Sequence, residues 1–195
     1  MSLKIGIAGP VGSGKTSLIE SLTNILKDKY SLAIVTNDIY TTEDANYLKR
    51  TLDLDEDRII GVETGGCPHT AIRDDISMNQ KAVQELEEKL NSEIVFVESG
   101  GDNLSATFSY ELIDYYLYVI DVAQGADIPR KKGAGLLFSD LLVVNKTDLA
   151  PYVDVDLTLM KEDVKNNRKN KPSLFISNKD KKSLNQIISW IEVII

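Results

Sequence analysis

Apolar runs rich in β-branched residues recur along the chain: KIGIAG, SLAIVTND, RIIGVE, EIVFVES, YYLYVIDV, LLVVNK and SLFISN. Short runs of this kind predict buried strands. Between several of them lie segments with helical spacing, such as Leu18, Leu22 and Ile25 after the first run, and Val83, Leu86 and Leu90 before EIVFVES. The closing stretch SLNQIISWIEVII predicts a helix with Leu184, Ile187, Ile188 and Ile191 on one face. The polar stretch KEDVKNNRKNKP reads as the exposed end of a helix and its connection to the next strand. Strands therefore alternate with helices. That alternation predicts an α/β fold with a mostly parallel central sheet, helices on both faces, and binding loops at the carboxyl ends of the strands.

Length and composition narrow this picture. A chain of 195 residues, 43% hydrophobic, can bury one sizeable core, so a single domain over residues 1–195 is expected. The 22 basic and 30 acidic side chains give a net charge of −8. Such a balance opposes a nonspecific hold on nucleic acid or on an anionic membrane surface. The single cysteine, Cys67, cannot form an intrachain disulfide, and MSLKIGIAGP lacks the regions of a secretory signal. The apolar runs are too short to span a bilayer. A soluble, cytoplasmic protein is expected.

The first candidate chemistry follows the first strand. GPVGSGKT, comprising Gly9, Pro10, Val11, Gly12, Ser13, Gly14, Lys15 and Thr16, matches G-x-x-x-x-G-K-[ST] and leads through Ser17 into a helix. Glycines at these positions let backbone amides and the positive helix end wrap an anion. Lys15 is positioned for the β- and γ-phosphates and Thr16 for Mg²⁺. Downstream, LLVVNKTDLA ends a strand with Asn145, Lys146, Thr147 and Asp148, the N-K-x-D pattern of guanine readers. A carboxylate accepts from the N1–H and exocyclic amine of guanine, and adenine offers neither donor. Asp148 therefore discriminates against ATP by a few kcal/mol. Asn145 is expected on the other edge of the base, with the stem of Lys146 along the ring. The two motifs together imply GTP and Mg²⁺.

Two further strand ends are acidic: NDIYTTED, with Asp38, Glu43 and Asp44, and VFVESGGDN, with Glu98 and Asp102. Both stand where mobile switch loops are expected. Glu98 and then Asp38 are the candidates for holding Mg²⁺ and orienting the attacking water, and Asp44 and Asp102 read as solvated loop acids. Lys15 and Asp38 are thus the candidate catalytic residues. No arginine lies in the phosphate loop, so slow intrinsic turnover is expected, with any stimulating group supplied from elsewhere.

ETGGCPHTAIRDD contains the only histidine, His69, two positions from Cys67. Pro68 biases its neighbour towards extended backbone, where positions i and i+2 face the same way and form a clip. Thiolate and imidazole suit zinc, nickel or copper, yet two ligands complete no shell. Two subunits about a two-fold axis through the metal would complete it. A buried cysteine beside a packing histidine is the plainer alternative, and a Cys–His nucleophile is strained across the proline.

The segments GPVGSGKT, TNDIYTTEDA, GVETGGCPHTAIRDDISMN, ESGGDNL and NKTDL, in this order up to about residue 150, resemble the urease accessory G protein family, UreG. The resemblance implies a three-layer P-loop fold of the SIMIBI G-domain class and a nickel-delivering GTPase that dimerises around nucleotide, with Cys67 and His69 holding Ni²⁺ between subunits. It also implies as partners a nickel chaperone, other urease accessory proteins and apo-urease. After residue 150 the likeness weakens: FISNKDKKSLNQ departs from the Lys-Thr-Gly-Glu-Gly run of the family, and no guanine contact is expected from Ser177 or Asn178. Metal storage in a histidine-rich N-terminal tail is not expected either. The rival readings are a hydrogenase-type nickel-insertion GTPase, a GTP-controlled binding module whose dimer is bridged by structural Zn²⁺, and a nucleotide kinase. The Cys-Pro-His context disfavours the first, and N-K-x-D, without an arginine-rich lid, the last.

Overall fold

The computed structural model describes residues 2–66, 68–101 and 106–195. All seven predicted strands form: β1 (Leu3–Ala8), β2 (Leu32–Asp38), β3 (Ile59–Glu63), β4 (Ile94–Glu98), β5 (Tyr115–Asp121), β6 (Leu141–Asn145) and β7 (Ser173–Phe175). The helices are α1 (Lys15–Leu26), α2 (Glu43–Thr51), α3 (Ser77–Leu90), α4 (Ile128–Lys131), α5 (Ala134–Phe138), α6 (Leu157–Arg168) and α7 (Lys181–Ile194). The strands pair in the order β3-β2-β4-β1-β5-β6-β7, all parallel. This is the expected fold class. Among the described residues no helix is long and apolar enough to cross a membrane.

Side-chain alternation along the strands builds two cores. Ile5, Ile7, Phe96, Leu117, Val119, Leu141 and Val143 meet the apolar faces of α1, α2 and α7. Their neighbours Ala8, Val95, Val97, Tyr118, Ile120, Leu142 and Val144 meet α3 and α6. A strand covered on both faces must be apolar at every position, hence the unbroken runs in the sequence. Leu184, Ile187, Ile188 and Ile191 are buried as predicted, whereas the face of α1 is Leu18, Ile19, Leu22 and Leu26, with Ile25 37% exposed. The α1 stripe is wider than the predicted triplet and rotated away from Ile25. The acidic stretch after β2 is partly helix, because Glu43 and Asp44 stand in the first turn of α2 and Lys49 and Arg50 in its last, opposing the helix dipole at both ends.

The stretch expected to be an exposed helix end contains a buried cation. Arg168 is 3% exposed. Its Nε donates to Ser173 Oγ at 2.9 Å, and its two terminal nitrogens donate to Ser139 Oγ, Ser139 O and Pro172 O at 2.9–3.0 Å and to Leu136 O. Burial lowers the guanidinium pKa to about 10, and Asp140 opposes the shift. One side chain thus ties the end of α6 to the turn after α5 and to the start of β7. Arg168→Met leaves this set of acceptors without donors and is expected to destabilise the chain by roughly 2–4 kcal/mol, read as a lower urea midpoint.

Candidate nucleotide and metal site

Parallel register places the functional strand ends in one row. Glu98 stands opposite both Ile7 and Thr36, and Asp121 opposite Asn145. The loop after β1 crosses this row and turns into α1 through Gly12 and Gly14, at φ of 77° and 94°. Those left-handed conformations suit glycine and aim successive amides into the concavity. No side chain caps α1. Its first amides remain directed at a cavity of about 450 Å³ lined by Val11, Gly12, Gly14, Lys15, Thr16, Ser17, Asp38, Asp44, Gly101 and Lys146. Lys15 Nζ folds back onto Pro10 O at 3.3 Å. An uncapped helix start beside a retracted cation fits a polyphosphate.

Acidic oxygens face Thr16 across this cavity. Glu98 is wholly buried at the end of β4, its Oε1 accepting from Thr16 Oγ1 at 2.7 Å and its Oε2 without a partner. Burial raises its pKa from the ordinary 4.5 to about 7; Lys15 opposes the shift, and Asp44 and Asp38 reinforce it. Asp38 accepts from Ile39 N at 2.7 Å and from Thr41 Oγ1. Asp44 is not a solvated loop acid. The first turn of α2 holds it half-buried, burial raises its pKa, and Lys15 and a hydrogen bond with Thr16 pull the other way. Asp102 lies outside the described residues. Among the described residues no three His, Cys, Asp or Glu side chains converge on one ion. A hard oxygen set of one hydroxyl and one or two carboxylates, completed by phosphate and water, is the habit of Mg²⁺. The donors fit that ion.

A second cavity, also of about 450 Å³, opens beside Gly14, Ser17, Asn145, Lys146, Asp148, Ser177, Asn178 and Lys179. Asn145, expected on the base, uses its amide locally: Nδ2 donates to Ser13 O at 3.0 Å, and Oδ1 accepts from Lys146 N at 2.7 Å. Close packing of β6 on the phosphate loop brings these partners within reach. Lys146, with φ of 58°, donates from Nζ to Gly12 O and lies 3.4 Å from Asp121 Oδ2. Asp148 is held below the usual carboxylate range by a Ser177 hydrogen bond and by Lys179, whose Nζ is 3.6 Å away. Asn178 Nδ2 reaches Gly14 O at 3.5 Å while its Oδ1 is buried without a partner. Ser177 and Asn178 therefore line this second cavity together with Asn145 and Asp148. Asp121 was missed altogether: buried at the end of β5, it accepts from Ala123 N at 2.7 Å, and the adjoining Gln124 Nε2 donates to Val11 O at 3.3 Å. An acid ending YYLYVID was its only sequence signal.

The metal segment departs from expectation. Cys67 lies outside the described residues. Half-buried His69 is helical, at φ −62° and ψ −38°, and opens a π-type turn over Thr70–Asp74. Its backbone is not extended, because the fixed φ of Pro68 also suits a first helical turn. Arg73 binds Asp74 through both oxygens, at 3.0 and 3.2 Å, and lowers its pKa, with His69 adding to the effect.

The fold and this site define a P-loop nucleotide-binding domain. Residues 3–175 match the family model described as "CobW/HypB/UreG, nucleotide-binding domain". The chain is 85% identical over 195 residues to the urease accessory protein UreG of Aliarcobacter butzleri, covering 100% of both chains. It is 60% identical over 190 residues to that of Corynebacterium urealyticum, covering 97% of this chain and 93% of the relative. The chain belongs to the urease accessory protein UreG family. The likeness thus extends well past residue 150, through the segment that carries Ser177 and Asn178. By fold it is similar to HypB from Helicobacter pylori in complex with nickel (TM-score 0.82, 24% identity, 97% of this chain and 85% of that one). HypB from Archaeoglobus fulgidus gives a TM-score of 0.79 at 22% identity, with 99% and 90% covered.

Glu98 makes the nucleotide-free chain sensitive to pH. A carboxyl with a folded pKa above its unfolded one has no effect on stability below the unfolded value and opposes folding increasingly as pH rises to the folded value. Stability is expected to fall between pH about 4.5 and about 7 by roughly 3 kcal/mol. Glu98→Gln, neutral throughout, flattens this slope in urea titrations. Parallel slopes in the two proteins would mean that Glu98 is ionised in the folded state.

Proposed function

We propose that this chain is a GTP hydrolase that couples GTP binding and hydrolysis to delivery of nickel into apo-urease. The observation that carries the reading is the buried Glu98 carboxyl, bonded by one oxygen to Thr16 of the phosphate loop and open at the other. In this reading, loop amides and Lys15 hold the β- and γ-phosphates, and Lys15 leaves Pro10 O to do so. Thr16 and Glu98, with Asp38, would hold Mg²⁺, which neutralises charge developing on the phosphate oxygens. Asp38 orients the attacking water. Asp148 selects guanine, with Asn145 and Lys146 clamping the base loop to Gly12 and Ser13. Mobile charge near the γ-phosphate comes only from Lys15 among the loop residues, consistent with slow turnover.

Nickel is the cargo. Cys67 and His69 of each subunit supply half of its shell, so a homodimer forms when both nucleotide and metal are present. The nickel chaperone, other accessory proteins and apo-urease are the partners, and the cytoplasm the compartment. Identity of 85% to a urease accessory protein over the full chain supports urease rather than hydrogenase as the recipient.

With Mg²⁺, non-hydrolysable GTP and Ni²⁺, light scattering and metal analysis are expected to give dimers containing one nickel per two chains. His69→Ala and Cys67→Ala abolish the metal, and an unchanged stoichiometry in both would refute the assignment. Replacement of Ni²⁺ by Zn²⁺ as the preferred ion in competition would point to a structural bridge instead. For the base, Asp148→Asn is expected to weaken GTP binding about 100-fold while improving binding of xanthosine triphosphate, measured by titration calorimetry.

A further inference from the structure

One buried pair touches both the strand end that carries Glu98 and the turn that follows His69. Asn37, next to last in β2, and Asn79, in the first turn of α3, are fully buried. Asn37 Nδ2 donates to Asn79 Oδ1 and to the backbone oxygen of Glu98, both at 2.9 Å. Asn79 Nδ2 donates to Asn37 Oδ1 at 2.8 Å and to the backbone oxygen of Ala71 at 2.9 Å. Each amide thus contributes two bonds and accepts one from its partner. The outer arms end at opposite functions: the Glu98 backbone, whose side chain meets Thr16, and the π-type turn that directly follows His69.

A second contact closes the same path. A β-carbon on Gly100 would lie 2.7 Å from Pro68 Cβ and 3.4 Å from Asn37 O, and one on Gly101 would lie 2.6 Å from Val11 Cγ2. The backbone after β4 is therefore pressed between the phosphate loop and Pro68, with no room for a side chain. Two apolar residues of similar volume could fill the Asn37–Asn79 space in several packings, but four hydrogen bonds allow one. Displacement of the Glu98 backbone can leave those bonds intact only if Ala71 moves with it.

We propose that the Asn37–Asn79 amide pair is a positioning element that couples nucleotide occupancy at the strand ends to the metal affinity of the segment carrying His69. The proposal rests on the function proposed above and names the residues through which its two sites communicate. Coupling of this kind is reciprocal, so bound nickel tightens nucleotide by the same factor by which nucleotide tightens nickel.

Calorimetric Ni²⁺ affinity of the full chain, with and without non-hydrolysable GTP and Mg²⁺ at one protein concentration, gives that factor. It is expected in the range of about 5–150-fold for the unaltered chain. In Asn79→Ala, nickel affinity without nucleotide and nucleotide affinity without nickel stay within about twofold of the unaltered values, while the factor falls to within about twofold of one. A merely structural role would lower thermal stability and leave the factor standing. Asn79→Asp, which keeps the shape but replaces the donating amide nitrogen by oxygen and so loses both N–H bonds, serves if Asn79→Ala does not fold. In the unaltered chain, the ¹⁵N side-chain amide signals of Asn37 and Asn79 shift when the GTP analogue is added alone. Retention of the factor in a folded Asn79 variant, or amide signals that ignore nucleotide, overturns the proposal. Nickel binding that is indifferent to nucleotide in the unaltered chain also overturns it. Failure of the unaltered chain to bind nickel under any of these conditions would instead overturn the metal reading from which it starts.

Discussion

Parallel pairing in register is the constraint from which the site follows. Because every strand runs the same way, the carboxyl ends of β1, β2, β4, β5 and β6 lie along one edge, and the polar residues that terminate them arrive together. Glu98 faces Ile7 on one side and Thr36 on the other, with both neighbours buried. Its carboxyl is consequently desolvated, and Thr16 gives it one hydrogen bond. An unsatisfied buried oxygen is costly unless a cation or donor arrives. The same register that builds the core therefore sets a carboxyl oxygen without a protein donor directly behind the phosphate loop.

The phosphate and base cavities are mechanically one object. Asn145 and Lys146 grip Ser13 and Gly12, Asp121 steadies Lys146, and Gln124 reaches Val11. Loop backbone carbonyls that would otherwise face solvent are used as fasteners, which explains why the residues expected to touch the base point partly at the loop instead. Asp148 lines the second cavity with its carboxyl free of these clamps. A Ser177 hydrogen bond holds that carboxyl below the usual carboxylate range, and Thr147 fastens its loop to the chain after β7 by donating from N and Oγ1 to Ile176 O, both at 3.0 Å. The shape of both cavities thus rests on fasteners contributed by three different strand ends.

The strands and the phosphate loop were legible because each obeys a local rule: doubly covered strands are continuously apolar, and a glycine loop before a helix has few other uses. The side chains that join segments were not legible. Arg168 read as part of a solvated run, since nothing local signals that Leu136 and Ser139, some thirty positions upstream, will supply three of its five acceptors. Asp44 read as a loop acid because helix α2 is short and polar, and its approach to Thr16 is a tertiary event. Asn37 and Asn79 are ordinary strand-end and helix-start residues until the fold brings them together. His69 was placed on extended backbone by a rule about the residue before proline, which constrains position 67 and says little about position 69.

That last difference bears on how a half-shell could be presented. The amide of Asp75 reaches back to Thr70 O at 2.8 Å, a five-residue span where an α-helix spans four. One residue more per turn rotates everything upstream by about 100° relative to an unbroken helix leading into α3. Turns of this width are uncommon and are held by their surroundings rather than by propensity. Here the surroundings are Asn79, which takes Ala71 O from within the turn, and Gly100, which supports Pro68 from below. Both lie on the nucleotide side. The backbone on both sides of His69 is thus held by contacts to α3 and to the chain after β4, the strand that ends in Glu98.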